Sequence, residues 1–208
     1  MGHLFDSLPL IATAFGIPQY LPQIAKLRRT RDPAGVSWSW AALAAVNNAA
    51  WFGYFASAGY RTALVPATAA TLLATTVAVL LAGLGRAGVR SAAWVGGWAG
   101  LLAGAAAVAG TRVLGLLLAA AAMVQVMPSI VTAYRTRRPS GVSAGTWRLT
   151  LGEVSCWAAY GLYRCDPRLI ALGVTGIVAS VLMLARVRKR SWACPTTHRP
   201  GGEALDRG

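Results

Sequence analysis

Acidic residues are scarce in this 208-residue chain. Six Asp and Glu stand against 20 Lys and Arg, and charged residues of both signs make up only 12%. A soluble domain of this size needs a polar coat, which so few charges cannot supply. Cysteine is confined to Cys156, Cys165 and Cys194, an odd and scattered set without Cys-x-x-Cys spacing, which supports neither a disulfide framework nor a zinc site. The two histidines, His3 and His198, lie at the chain ends. With no His-Glu-x-x-His, no Gly-x-Ser-x-Gly and no paired carboxylates inside an apolar segment, the sequence argues against an enzyme and offers no metal or cofactor site. Lys26 and Lys189, the only lysines, both lie outside the membrane core, Lys26 at the very end of the first apolar segment. A retinal-type photoreceptor, which needs a Schiff-base lysine in its last span, is thereby excluded.

What the chain does have is apolar length. Hydrophobic residues make up 56% and mean hydropathy is +0.52. The apolar residues fall in blocks of roughly 20, the length a helix needs to cross ~30 Å of hydrocarbon. Reading between charged or turn-rich breaks predicts seven spans, at residues 8–27, 36–56, 63–84, 92–109, 113–134, 142–163 and 169–185. The polar, Pro- and Gly-rich stretch 186–208 reads as a disordered cytoplasmic tail. The first six residues carry an acid and no Lys or Arg, a poor signal-peptide start, so the first span is expected to be retained.

Net charge is +14, but the basic residues cluster at span ends. That placement points to membrane topology and lipid headgroups rather than nucleic acid. Loops after spans one, three and five, with the stretch after span seven, hold 13 Lys and Arg; the opposite side holds Arg61, Arg112, Arg164 and Arg168. By the positive-inside rule the N-terminus is outside and the C-terminus cytoplasmic. Eighteen Arg to two Lys in an Ala- and Gly-rich chain points to a GC-rich bacterial genome, hence to a multi-pass protein of the bacterial inner (plasma) membrane.

Sliding the chain against itself by 106 positions aligns residues 19–54 with 125–160, and 13 of these 36 positions are identical. The matches include Gln19, Pro22, Pro33, Trp51 and Tyr54, which hydrophobicity alone does not explain. The inference is duplication. Residues 1–84 form one three-span unit, 111–185 its copy, and 85–110 an unpaired fourth span. Four crossings separate span one from span five, so both copies run in the same direction. The expected fold is an all-α membrane protein of two parallel three-helix bundles in a 3+1+3 plan. Gly96, Gly100 and Gly104 form a small-residue stripe on the fourth span, suited to close helix contact. Homo-oligomerisation is left open.

Two stretches carry a family pattern. LPQIAKLRRTRDPAGVS (residues 21–37) resembles a PQ-loop, and MPSIVTAYRTRRPSGVS (127–143) resembles a degenerate second copy. WFGY (51–54) and WAAY (157–160) are similar to the Trp-x-x-Tyr of the second helix in that unit. With the 3+1+3 plan, the chain resembles the SWEET branch of the PQ-loop superfamily, for which parallel repeats about an axis along the membrane normal are already described. The resemblance implies a facilitator of small polar solutes, sugars above all, working by alternating access. It also implies a site with one Trp from the second helix and one Asn from the third helix of each repeat. Trp51 and Trp157 match the Trp positions, whereas the Asn positions are occupied by Ala67 and Gly173. A proton-coupled carrier of amino acids or other small metabolites, or a receptor that binds without transport, are the alternatives on the same fold.

On helical spacing Asn47, Trp51 and Tyr54 share one face of span two, with Asn48 beside them, and Glu153, Trp157 and Tyr160 repeat the arrangement in span six. Facing each other they would make two aromatic walls with polar groups deeper in, a combination suited to a polar solute. An interfacial aromatic belt is the competing role for Tyr54 and Tyr160. Glu153 stands near mid-bilayer, where an ionised side chain costs at least ~2.5–3.5 kcal/mol. It must face a wet cavity, find a partner or hold its proton; contact with substrate or carriage of a coupling proton is its expected role. Pro22 and Pro128 kink spans one and five and are candidate hinges, with Gln23 expected to bond the carbonyls they free. The partners implied are a small solute and the lipid bilayer.

Overall fold

The computed structural model describes residues 2–33, 36–135 and 144–192, and every regular element among them is helical. The helices are α1 (Gly2–Asp6), α2 (Leu8–Thr30), α3 (Trp38–Ser57), α4 (Leu64–Gly83), α5 (Val89–Arg135), α6 (Ala144–Tyr163) and α7 (Pro167–Trp192), with a 3-10 turn at Arg61–Ala63 leading into α4. Local chemistry sets their ends. Pro9 stands in the first turn of α2, where a missing N–H costs nothing. The Ser37 hydroxyl accepts from the Trp40 N–H and caps α3.

Along α5, Gly110 has φ 77° and ψ 179°, a backbone only glycine adopts readily. The element is therefore two helices, 89–109 and 111–135, meeting without a loop. Three stretches are long and apolar enough to cross a membrane: Arg61–Gly83, Val89–Val124 and Pro167–Arg186. Helices α2, α3 and α6 do not reach that apolar level, because they carry Gln19, Asn47, Asn48 and Glu153. Apolar side chains face outward instead, among them Val108 at 91% and Trp94 at 74% exposure, as on a protein whose surroundings are lipid.

Helix packing follows a rule of exchange. α4 packs on both α2 and α3, and α7 packs on both α5 and α6. Between these groups α2 meets α6, and α5 meets α3. Swapping α2 for α5, α3 for α6 and α4 for α7 leaves this set of neighbours unchanged. The turns repeat too. After α3, Gly59 has φ +72°, and the Ala58, Gly59 and Tyr60 N–H groups donate to Tyr54, Ala56 and Phe55 O at 2.9, 3.3 and 2.9 Å. After α6, Cys165 has φ +50°, and Arg164, Cys165 and Asp166 N–H donate to Tyr160, Leu162 and Gly161 O at 2.9, 3.2 and 2.8 Å. Every atom of the second turn lies 106 residues beyond its counterpart, so backbone geometry extends the repeat to positions where the side chains no longer match.

Close packing of the second group relies on glycine. A Cβ at Gly173 would lie 2.5 Å from Ala158 N, and one at Gly161 would lie 2.7 Å from Ile170 N, so α6 and α7 touch backbone to backbone.

Two expectations need revision. Nothing lies within 4 Å of a Cβ placed at Gly96, Gly100 or Gly104, so the small-residue stripe faces outward and packs on no other helix of the chain. The fourth helix is held instead by Trp98, whose Nε1 donates to Asn47 Oδ1 at 2.7 Å. In addition, α7 continues to Trp192, so residues 186–192 are helical where a tail is expected. Basic side chains at a helix C-terminus complement its dipole, which favours extension. The remainder of that tail (193–208), the second basic turn (136–143) and the side chains of Pro128 and Ser129 lie outside the described residues.

Cys165 occupies a left-handed conformation that costs a residue with a Cβ ~1–2 kcal/mol. Cys165→Gly is expected to raise stability by ~1 kcal/mol, seen as a higher unfolding midpoint of the detergent-solubilised protein.

Candidate solute site

Between the two groups of helices lies a cavity of about 230 Å³ lined by α2, α3, α4, α5, α6 and α7. Five of the sequence-predicted residues meet on it: Asn47, Asn48 and Trp51 from α3, Glu153 and Trp157 from α6. Tyr20, Trp40, Phe55, Ala67 and Leu118 complete most of the wall. A second cavity of about 180 Å³ adjoins it, sharing Tyr20, Asn48, Pro66, Ala70 and Glu153 and reaching Gln19 and Thr13 on α2. Both are smaller than the ~300–1,000 Å³ typical of drug-sized sites, which suits a small metabolite.

The two tryptophans do not face each other across open space. Phe55 stands between them, stacked on Trp51 at 5.4 Å and 25° and on Trp157 at 5.3 Å and 9°. This three-ring stack ties α3 to α6 and roofs the cavity, which runs from Phe55 along α3 to Trp40. Tyr54 and Tyr160 lie outside the cavity lining, at 3% and 1% exposure, so neither is a belt residue. Both belong to the closure beyond the ring stack.

That closure is polar at its centre. Asp166, buried between α6 and α7, accepts from Tyr54 Oη at 2.5 Å and Tyr60 Oη at 3.2 Å, and from the Arg168 N–H at 3.0 Å. Arg168 Nη1 lies 3.6 Å from Asp166 Oδ1 and donates to Tyr54 Oη at 3.3 Å. Tyr160 meets Tyr60 edge-on at 5.7 Å, and the Arg164 guanidinium covers the Tyr60 ring at 4.5 Å. Burial and the neighbouring Asp166 carboxylate raise the Tyr60 phenol above its usual pKa, so it remains a donor. Short α1 lies over the same end, with Phe5 stacked on Tyr163 at 5.1 Å and Asp6 3.8 Å from Arg164. Groups from both halves of the chain thus converge on one carboxylate.

At mid-cavity, Gln19 Nε2 donates to Glu153 Oε2 at 2.8 Å, and Thr150 Oγ1 donates to Gln19 Oε1 at 3.3 Å. Gly16 leaves room for the carboxylate: a Cβ there would lie 3.1 Å from Glu153 Oε1. Asn48 turns its amide N–H to Ala44 O at 2.8 Å. Gln23 does not fill the role expected of it. Its Nε2 is buried without a hydrogen-bond partner, so it does not take up a carbonyl freed by proline. α2 nevertheless continues unbroken through Pro18 and Pro22. Of the third-helix positions, Ala67 lines the cavity, while Gly173 is pressed on α6 and has no space for a side chain.

Gln19, Tyr20, Phe55, Tyr60, Thr150, Asp166 and Arg168 were not singled out as site residues from sequence. Gln19 carried a signal, as one of the identities between the copies, and Asp166 another, as one of only six acids. Phe55 and Tyr60 carried none, since their roles depend on which helices meet.

These features define a helical membrane protein with an aromatic-walled internal cavity between two similarly built halves. Three solved chains match it, among them a eukaryotic SWEET transporter, at a TM-score of 0.75 over 91% of this chain and 99% of that one, with 12% sequence identity. At that identity the likeness establishes the fold. No protein-family model and no curated protein matches the sequence.

Removing the Tyr54 hydroxyl leaves a buried carboxylate short of one donor, a loss of ~1–3 kcal/mol. Tyr54→Phe is expected to lower the unfolding midpoint in detergent, whereas Tyr134→Phe, whose hydroxyl bonds Leu182 O at an exposed position, is expected to change it far less.

Proposed function

We propose that the chain is a carrier for a small polar, sugar-sized solute, moving it by facilitated diffusion through alternating access. The observation that carries this reading is the partly open cavity between α3 and α6, where polar groups (Asn48, Glu153) sit beneath a roof of stacked rings. A solute with both C–H faces and hydroxyl groups needs that pairing of ring surface and hydrogen-bonding capacity. Likeness in fold to a SWEET transporter supports the same reading.

In this proposal the chain crosses the plasma membrane seven times in a 3+1+3 plan, N-terminus outside. α2, α3 and α4 form one bundle, the second half of α5 with α6 and α7 form the other, and the first half of α5 links them. The exchange symmetry of the packing and the matching turns after α3 and α6 support the two-bundle plan. The basic residues at the far end from Asp166 support the orientation. Asp166 with its tyrosines then closes the outer side, and the cavity extends toward the cytoplasm. Transport requires the bundles to rock so that the α3–α6 ring stack opens while the α2–α6 contact at Gln19 and Glu153 rearranges. Trp51 and Trp157 supply ring faces, Asn48 and Glu153 polar contacts, Asn47 the tie to the fourth helix, and Pro22 and Pro128 the bends.

The test is counterflow of radiolabelled mono- and disaccharides and amino acids in liposomes containing the purified protein. At least one solute should exchange, and Trp51→Ala and Trp157→Ala should each slow it roughly tenfold or more, as loss of ~1.4 kcal/mol of ring contact implies. Binding of a solute without any counterflow would replace the carrier with a receptor.

A further inference from the structure

Among the described residues, Glu153 is the one acid placed inside the helix bundle without a cation. Of the six acids, Asp6 pairs with Arg164 and Asp166 with Arg168, while Asp32, Glu203 and Asp206 lie in the first basic turn and the C-terminal stretch. Every element facing Glu153 is neutral. α2 offers Gly16, Gln19 and Tyr20, α3 offers Asn48, and α4 offers only Pro66 and small apolar side chains. On α6 itself the nearest basic residue, Arg148, is exposed. The carboxylate is oriented by neutral donors, Gln19 Nε2 at 2.8 Å from Oε2 and the Trp157 side chain, and its Oε1 borders the space left by Gly16.

The geometry points to a solute that brings the missing cation: a small polar molecule bearing a protonated amine, its ammonium group seated on Glu153. This inference rests on the reading of the cavity as a solute site and specifies what that site selects. Three properties of the cavity support it. First, a carboxylate in a low-dielectric enclosure favours a cation far more than water does, and charge-assisted hydrogen bonds are about twice as strong as neutral ones. Second, the polar surface is rich in acceptors. Asn48 directs an amide N–H to Ala44 O and lines the same cavity as the carboxylate, so its carbonyl oxygen adds a further acceptor, and an ammonium group has three donors and no acceptor. Third, the aromatic rings of Tyr20, Trp51 and Trp157 line the same cavity, and aromatic rings attract cations. A neutral polyol, with as many acceptors as donors, would leave the carboxylate uncompensated.

Matched pairs of probes test this on the purified full-length protein: glucosamine against glucose, with N-acetylglucosamine as the neutral amide, and ethanolamine against ethylene glycol. Binding is read by quenching of tryptophan fluorescence below the pKa of the amines, and counterflow is measured in parallel. The amine of each pair should bind roughly tenfold tighter than its neutral partner. Glu153→Gln should erase that preference by weakening the amine alone, and Gly16→Ala, which crowds Oε1, should reduce it. Both variants are first checked for folding by size exclusion and unfolding midpoint; a misfolded Glu153→Gln leaves Gly16→Ala as the deciding variant. Equal affinity within the pairs, absence of amine binding, or an amine preference unchanged in a folded variant would overturn the inference. Amine binding without counterflow would uphold it and remove the carrier reading, whereas glucose counterflow without amine preference would do the reverse.

Discussion

Lipid offers no hydrogen bonds, so polar side chains on membrane-crossing helices are driven to find partners inside the bundle. That constraint explains the division of labour among the helices. α4, the first half of α5 and α7 are apolar enough to meet hydrocarbon along much of their length. α2, α3 and α6 carry the amides, the mid-bundle carboxylate and most of the aromatic rings, and they supply the polar and aromatic part of the cavity wall. Buried polar groups then dictate how the halves meet: Gln19 reaches Glu153 across the α2–α6 contact, Trp98 reaches Asn47, and Tyr54 reaches Asp166. Apolar packing alone would hold such helices together without fixing their register.

The duplication supplies a second layer of explanation. Because Tyr54 and Tyr60 are the counterparts of Tyr160 and Asp166, the closure contains one contact made twice. Tyr54 meets Asp166 through a hydrogen bond, and Tyr160 meets Tyr60 edge-on. The backbone positions match in the two repeats, but the second carries a carboxylate, Asp166, where the first carries a phenol, Tyr60. Asp166 then draws Tyr60 as well as Tyr54, and Arg168 as well as either, so a contact that was paired becomes centred on one residue. A similar divergence sets Glu153 opposite Asn47. Asn47 is tied to Trp98 in the first half of α5, and Glu153 is tied to Gln19.

Much of this was legible in the sequence because exceptions stand out against an apolar background. Trp51, Trp157, Asn48 and Glu153 are conspicuous in spans two and six, and helical spacing puts them on common faces, so the residues that share the cavity were identifiable. Span limits followed from charge and agree with the helices to within a few residues, except where α7 runs on to Trp192 and where Gly110 joins two spans. Helical spacing cannot show what stands between two faces. Phe55 belongs to the same stretch as Tyr54 and reads as ordinary span filling, yet it separates the tryptophans. The outward direction of the Gly96, Gly100 and Gly104 stripe was equally hidden, since a small residue announces that contact is feasible and not that it occurs. Gln23 misled for a similar reason: its place beside Pro22 suggested a local bond, whereas Gln19, one turn earlier, faces the other half of the molecule.

The Phe55 stack has a consequence for affinity. Parting α3 from α6 at that end gives up two ring contacts, each worth ~0.5–1.5 kcal/mol beyond the area they bury. In the proposed carrier a solute entering from the Asp166 side would meet that cost out of its own binding energy, lowering its apparent affinity there by a factor of roughly 5 to 150 relative to the opened site. The opposite approach, past Trp40, breaks no such stack. In the proposed carrier one phenylalanine would thereby bias the resting population toward a single conformation, and exchanging it for a smaller residue would alter how often each side of the membrane sees an empty site without touching the groups that recognise what binds.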